Sequence, residues 1–126
     1  MTLLRLELFT RDLEAARRFY AEILDFKVAD VHPDGYTVMK WGKVRIDLQP
    51  VGHLRPDHPV RPGSQERVGL GIEIVLEVED VVAVRDRVAA GGWPLASALQ
   101  GRPWGARDFR VLDPDGRYVR ITSPSG

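Results

Sequence analysis

Residues 4–27 read LRLELFTRDLEAARRFYAEILDFK. Leu4, Leu6 and Leu8 alternate with Arg5, Glu7 and Phe9, which is the two-residue period of a half-buried strand. Asp12 then places a short acceptor side chain where a helix N-cap needs one. Behind it Leu13, Ala16, Tyr20, Ile23 and Leu24 share one helical face, while Glu14, Arg17, Arg18 and Glu22 fall mostly elsewhere. Three short strands are expected next, near Lys27–His32, Tyr36–Trp41 and Val44–Gln49. Pro33-Asp34-Gly35 and Gly42-Lys43 supply the turns between them.

The same order returns. Residues 72–90 read IEIVLEVEDVVAVRDRVAA, with Ile72, Ile74, Leu76 and Val78 alternating against Glu73, Val75, Glu77 and Glu79. Asp80 is the second expected N-cap. Val81, Val84 and Val88 form a second apolar stripe, and Gly91-Gly92 ends that helix in the left-handed region glycine tolerates. Strands are expected near Pro94–Ala98, Arg107–Leu112 and Tyr118–Thr122, the last two joined by Asp113-Pro114-Asp115-Gly116. A shift of 68 residues places Arg5 on Glu73 and Asp12 on Asp80; a shift of 73 places Asp47 on Arg120. The expected fold is therefore α+β: one domain over 1–126, built from two tandem βαβββ modules (3–50 and 69–124) in a curved mixed sheet around a concave cavity. The Pro- and Gly-rich stretch 50–68 reads as the linker.

Composition narrows the function. Eighteen Lys plus Arg balance eighteen Asp plus Glu, so the basic footprint of a nucleic-acid binder is missing. The chain has no cysteine, which removes disulfides, thiolate metal sites and cysteine nucleophiles. Arg5 and Glu7 interrupt the N-terminal apolar run, and no run reaches the length of a membrane span, so a soluble, cytoplasmic protein is expected. None of Ser64, Ser97, Ser123 and Ser125 has a histidine placed by the fold to activate it.

With the apolar residues of each strand turned to the helices, the opposite face collects charge. It takes Arg5, Glu7 and Phe9, then Arg45, Asp47 and Gln49, then Glu73, Val75 and Glu77, and last Tyr118, Arg120 and Thr122. Burying unpaired charge costs several kcal/mol per ion, so this face is expected to be either a wet cleft or a closely paired network. Trp41, Trp104, Phe9, Phe109 and Tyr118 lie near its rim, with Phe109 and Phe26 fitting the core better. Trp104 stands apart in a Pro-Trp-Gly loop just before a strand, and Trp93 reads as a packing anchor.

The duplicated unit resembles the vicinal oxygen chelate superfamily of glyoxalase I, bleomycin-resistance proteins and extradiol dioxygenases. The resemblance rests on Asp12-Leu13-Glu14 through Phe26, on Val78-Glu79-Asp80-Val81, and above all on Pro103-Trp104-Gly105 followed by Leu112-Asp113-Pro114-Asp115-Gly116. It implies that His, Gln or Glu side chains on the first and last strand of each unit would hold a divalent ion. Here those positions are Arg5, Asp47, Glu73 and Arg120. An arginine has no lone pair to donate and stays protonated, so no metal site and no cofactor are expected. His53 and His58 lie in the linker and His32 on an edge strand, all expected to be solvated.

The resemblance then implies a metal-independent protein that sequesters a small organic ligand or antibiotic at a dimer interface. Arg5, Glu7, Phe9, Trp41, Arg45, Asp47, Glu73, Glu77, Trp104, Tyr118 and Arg120 would line the site. A symmetric homodimer is the expected assembly, with a linker long enough to permit a swap of halves. Two alternatives stay open: a divalent-metal lyase, isomerase or dioxygenase, and metal-free acid–base catalysis by Glu7, Glu73 or Glu77.

Overall fold

The computed structural model describes residues 1–124; Ser125 lies outside them. The chain forms two compact units, one covering Met1–Glu66 and the other starting at Arg67. In the first, β1 (Arg5–Thr10), α1 (Leu13–Arg17) and a π-helical turn (Arg18–Ile23) precede β2 (Lys27–Val31), β3 (Thr37–Trp41) and β4 (Val44–Pro50). The strand order is β1-β4-β3-β2, with β1 parallel to β4 and the other pairs antiparallel. The helix between β1 and β2 is the crossover that parallel pairing requires.

The second unit repeats the scheme with β5 (Glu73–Glu77), α2 (Val81–Ala90), β6 (Ser97–Gly101), β7 (Arg107–Leu112) and β8 (Tyr118–Thr122) in the order β5-β8-β7-β6. Each unit closes its own four-stranded sheet. No described helix is long and apolar enough to cross a membrane.

The caps fall where expected. Asp12 accepts from the Ala15 amide at 3.1 Å, and Asp80 from the Ala83 amide at 3.0 Å. The buried stripe of the first helical segment is Ala16, Phe19, Tyr20, Ile23 and Leu24; Leu13 is only half-buried and Phe19 joins instead. Phe19, Tyr20 and Phe26 meet edge to face, with centroids 4.8 and 5.8 Å apart. Such contacts add to area burial when aromatic rings pack together. Phe109 is fully buried in the second core, beneath α2 with Val111, Val119 and Ile121.

Several boundaries differ from expectation. Leu4 and Ile72 continue the sequence alternation but lie outside the strands and are exposed. At the end of α2, Gly91 keeps a helical φ of −77° and Gly92 carries the left-handed value of +74°. The strand expected at Pro94–Ala98 starts at Ser97, because Trp93 anchors the preceding residues through its indole N–H, which donates to the Leu112 carbonyl at 3.0 Å. The stretch expected as linker carries a 3₁₀ turn at Val51–His53 and buries Leu54. Arg11 donates to the carbonyls of Gly63 and Glu66, tying that stretch to the first unit.

The Asp-Pro-Asp-Gly turn is structural. Asp113 accepts at 2.9 Å from the amides of both Asp115 and Arg117, and pairs with the Arg117 guanidinium. Gly116 takes a φ of +92° that an L side chain rarely adopts.

Candidate functional site

The alternation holds in both units: Leu6, Leu8, Ile46 and Leu48 turn to the helix, and Arg5, Glu7, Arg45 and Asp47 turn away. Strand β3 keeps the same phase. Thr37 and Met39 are buried on the helix side, so Tyr36, Val38 and Lys40 belong with the charged face.

The carboxylate of Asp47 organises the first unit. Its side chain is fully buried, and Arg45 holds it with Nε and Nη2 both at 3.0 Å. Such two-pronged, charge-assisted contacts fix geometry as well as adding energy. The Tyr36 hydroxyl lies 2.7 Å from Asp47 and 2.5 Å from Glu7. A phenol carries one proton, so two ionised carboxylates on one hydroxyl oxygen would leave one lone pair facing another. Burial, and the nearby Asp47 charge, push the Glu7 carboxyl above its ordinary value. Burial alone would raise Asp47 too, but hydrogen bonds from Arg45, Tyr36 and Glu7 outweigh it and hold that carboxyl low. Tyr36 is pushed well up by burial and by hydrogen bonding to both carboxylates. The Tyr36 hydroxyl thus joins a carboxyl held above its ordinary value, Glu7, to one held below it, Asp47. Beside it a groove of about 570 Å³ is lined by Arg5, Tyr36, Val38, Lys40 and Arg45 among others.

In the second unit the roles invert. Asp108 on β7, also fully buried, lies 2.8 Å from Arg102 Nε and 3.7 Å from both Arg110 Nη1 and Arg120 Nη1. Glu73 spans Arg110 and Arg120, each 3.2 Å away. Three guanidinium groups thus face two carboxylates. Within this network Arg102 Nη2, Asp108 Oδ2 and Arg120 Nε are buried without a hydrogen bond. Arg110 also lies 5.9 Å from the Tyr118 ring centroid, within cation–π range.

The remaining expected residues fall differently. Trp41 packs edge-on against Phe26 at 5.4 Å, on the helix side and away from the charged face. Phe9 is half-buried at the end of β1, and Glu77 is exposed on β5. Trp104 is 54% exposed in the turn between β6 and β7. His32 contacts Asp30 at 3.1 Å, and His53 contacts Gln49 at 3.0 Å.

Within the closely paired network that the sequence left open, Asp47 is taken by Arg45 and Tyr36, its neighbours on its own face. Among the described residues of either unit, no three His, Asp or Glu side chains gather to hold an ion. The donor set fits a divalent metal poorly on chemical grounds. Arg5 and Arg120 cannot ligate, and both available carboxylates are engaged by guanidinium groups.

Tyr36, Arg102, Asp108 and Arg110 are site residues that reading only the first and last strands leaves out. Tyr36 was findable, being in phase with Val38 and Lys40. Asp108 and Arg110 alternate with Phe109 and Val111, which was a usable signal. Arg102 had none, since its reach depends on where β6 ends.

The family model described as Glyoxalase/Bleomycin resistance protein/Dioxygenase superfamily matches residues 2–121. Among solved structures, TioX from Micromonospora sp. ML1 is similar, with a TM-score of 0.79 at 20% identity over 98% of both chains. A lactoylglutathione lyase from Agrobacterium tumefaciens gives 0.73 at 20% identity, over 98% of this chain and 94% of that one. A glyoxalase/bleomycin resistance protein/dioxygenase from Nocardioides gives 0.76 at 24% identity, over 98% and 83%. At these identities the likeness is one of fold. No curated protein matches this sequence.

Proposed function

The chain belongs to the glyoxalase/bleomycin resistance protein/dioxygenase superfamily, and from that premise we propose that it is a metal-independent binding protein that sequesters a small organic molecule. One observation carries this reading. At the four positions where the family resemblance implies metal ligands, two residues are arginines, and the other two, Asp47 and Glu73, already neutralise guanidinium groups at 3.0 and 3.2 Å. A divalent ion would have to displace those partners and leave their partly exposed guanidinium groups uncompensated beside a second positive charge. Trp104, largely exposed, offers an aromatic face to a planar ligand. The proposal includes a symmetric homodimer as the working form.

Quenching of the three tryptophans during titration with a library of small organic ligands tests this reading. Saturable binding that is lost in Trp104→Ala supports it; no saturable binding across the library contradicts it. Light scattering at the same concentrations reports the dimer. The competing reading, a lyase, isomerase or dioxygenase using a divalent metal, needs Asp47 and Glu73 released from their arginines.

A further inference from the structure

Four basic residues stand in one line across the first sheet. Lys27 lies opposite Lys40, Lys40 opposite Arg45, and Arg45 beside Arg5, so every strand contributes one cation at a single level. Side chains directly opposite on neighbouring strands approach to about 5 Å at Cβ, and like charges placed so are destabilising. Compensation within the protein is incomplete. Lys27 has Asp25 at 2.9 Å and Arg45 has Asp47. The side chains of Arg5 and Lys40 are exposed and make no hydrogen bond or close ion pair among the described residues, the Arg5 charge reaching the Glu7 carboxyl only through space. Asp47 takes Nε and Nη2 of Arg45, which leaves Nη1.

The fold does not demand this row. At the equivalent level of the second sheet stand Glu73, Tyr118 and Leu112. Three of the four cations, Arg5, Arg45 and Lys40, line the groove of about 570 Å³ described above. The acid that also lines it, Asp30, is held by His32 at 3.1 Å. Val38 and the Tyr36 and His32 rings, whose centroids are 5.1 Å apart, give the groove an apolar wall beside its cationic floor.

We propose that Arg5, Arg45 and Lys40 form an anion-binding floor, and that this groove takes a small organic ligand through its carboxylate or phosphate monoester. This rests on the sequestration reading and gives it a ligand class. The row keeps like charges together at a cost to the empty protein because the ligand's charge compensates them when bound.

The test is titration of the ¹⁵N-labelled full chain with phenyl phosphate, phenylacetate and the neutral phenylacetamide. Phenyl phosphate and phenylacetate should shift amides of β1, β3 and β4, more weakly as salt is raised, and phenylacetamide should not. Arg5→Gln and Lys40→Gln should each weaken phenyl phosphate binding roughly tenfold, the loss expected for one charge-assisted contact. Both variants should melt at or above the parent temperature, since each relieves like-charge repulsion. A purely structural role would instead lower the melting temperature and leave affinity intact. Equal binding of all three probes, or unchanged affinity in both variants, overturns the proposal. If neutral ligands still quench the tryptophans saturably, the ligand class falls and sequestration stands; if no ligand of either charge binds, both fall.

Discussion

The two units share strand order, crossover and caps, yet their sheets carry opposite charge at equivalent places. Where Glu7 faces Asp47 in the first unit, Val75 faces Arg120 in the second. Where Tyr36 offers a hydroxyl to two carboxylates, Asp108 offers a carboxylate to three guanidiniums. The helix-facing residues hardly change in character, since Ile46 and Leu48 match Val119 and Ile121. The core therefore sets the topology, and the opposite face is free to diverge. A hydroxyl shared by two carboxylates and a carboxylate shared by three guanidiniums are two solutions to the same problem, that of neutralising charge on a sheet face.

Removing the central group of each network should separate them most. Asp108→Ala leaves three guanidiniums with Glu73 alone and is expected to cost about 3–5 kcal/mol in urea unfolding, the range for breaking a buried pair. Tyr36→Phe at the equivalent position removes one hydroxyl and is expected to cost about 1.5 kcal/mol, the scale of a hydrogen bond to a charged group. Equal losses would break the comparison.

A smaller effect sharpens it through pH. Because the folded state raises Glu7, its contribution is fully present below the ordinary value near 4.5 and is lost as pH rises through the higher folded value. Asp47 behaves oppositely: its contribution is present above 3.8 and is lost as pH falls through the lower folded value. Glu7→Gln should accordingly melt higher than the parent at pH 7, with the difference closing toward pH 4. A constant difference across that range would mean that folding does not raise the Glu7 carboxyl. The smallest effects should be alike in both units. Asp12→Ala and Asp80→Ala are each expected to cost about 1 kcal/mol, the usual loss of a helix cap, measured in the same unfolding series.

How far the sequence disclosed this molecule follows the same division. Alternation along β1 and β5 and the caps at Asp12 and Asp80 were legible, because each is a local signal tied to burial. Strand β6 was misplaced by the indole contact of Trp93, which no local pattern encodes. On the charged face, alternation named Arg45, Asp47, Glu73 and Arg120 but could not say which pairs with which. Pairing depends on cross-strand register, and register brings Tyr36 to Asp47 and Arg110 to Glu73. Trp41 shows the converse error: its position near the rim suggested a ligand contact, while its phase with Met39 turns it toward Phe26.

Elemental analysis and calorimetric metal titration of protein purified without chelators bear most directly on whether arginine has displaced metal coordination. Manganese, iron, nickel and zinc are each expected to leave no stoichiometric ion on the chain. One ion per chain, with affinity that drops in both Asp47→Asn and Glu73→Gln, would contradict it.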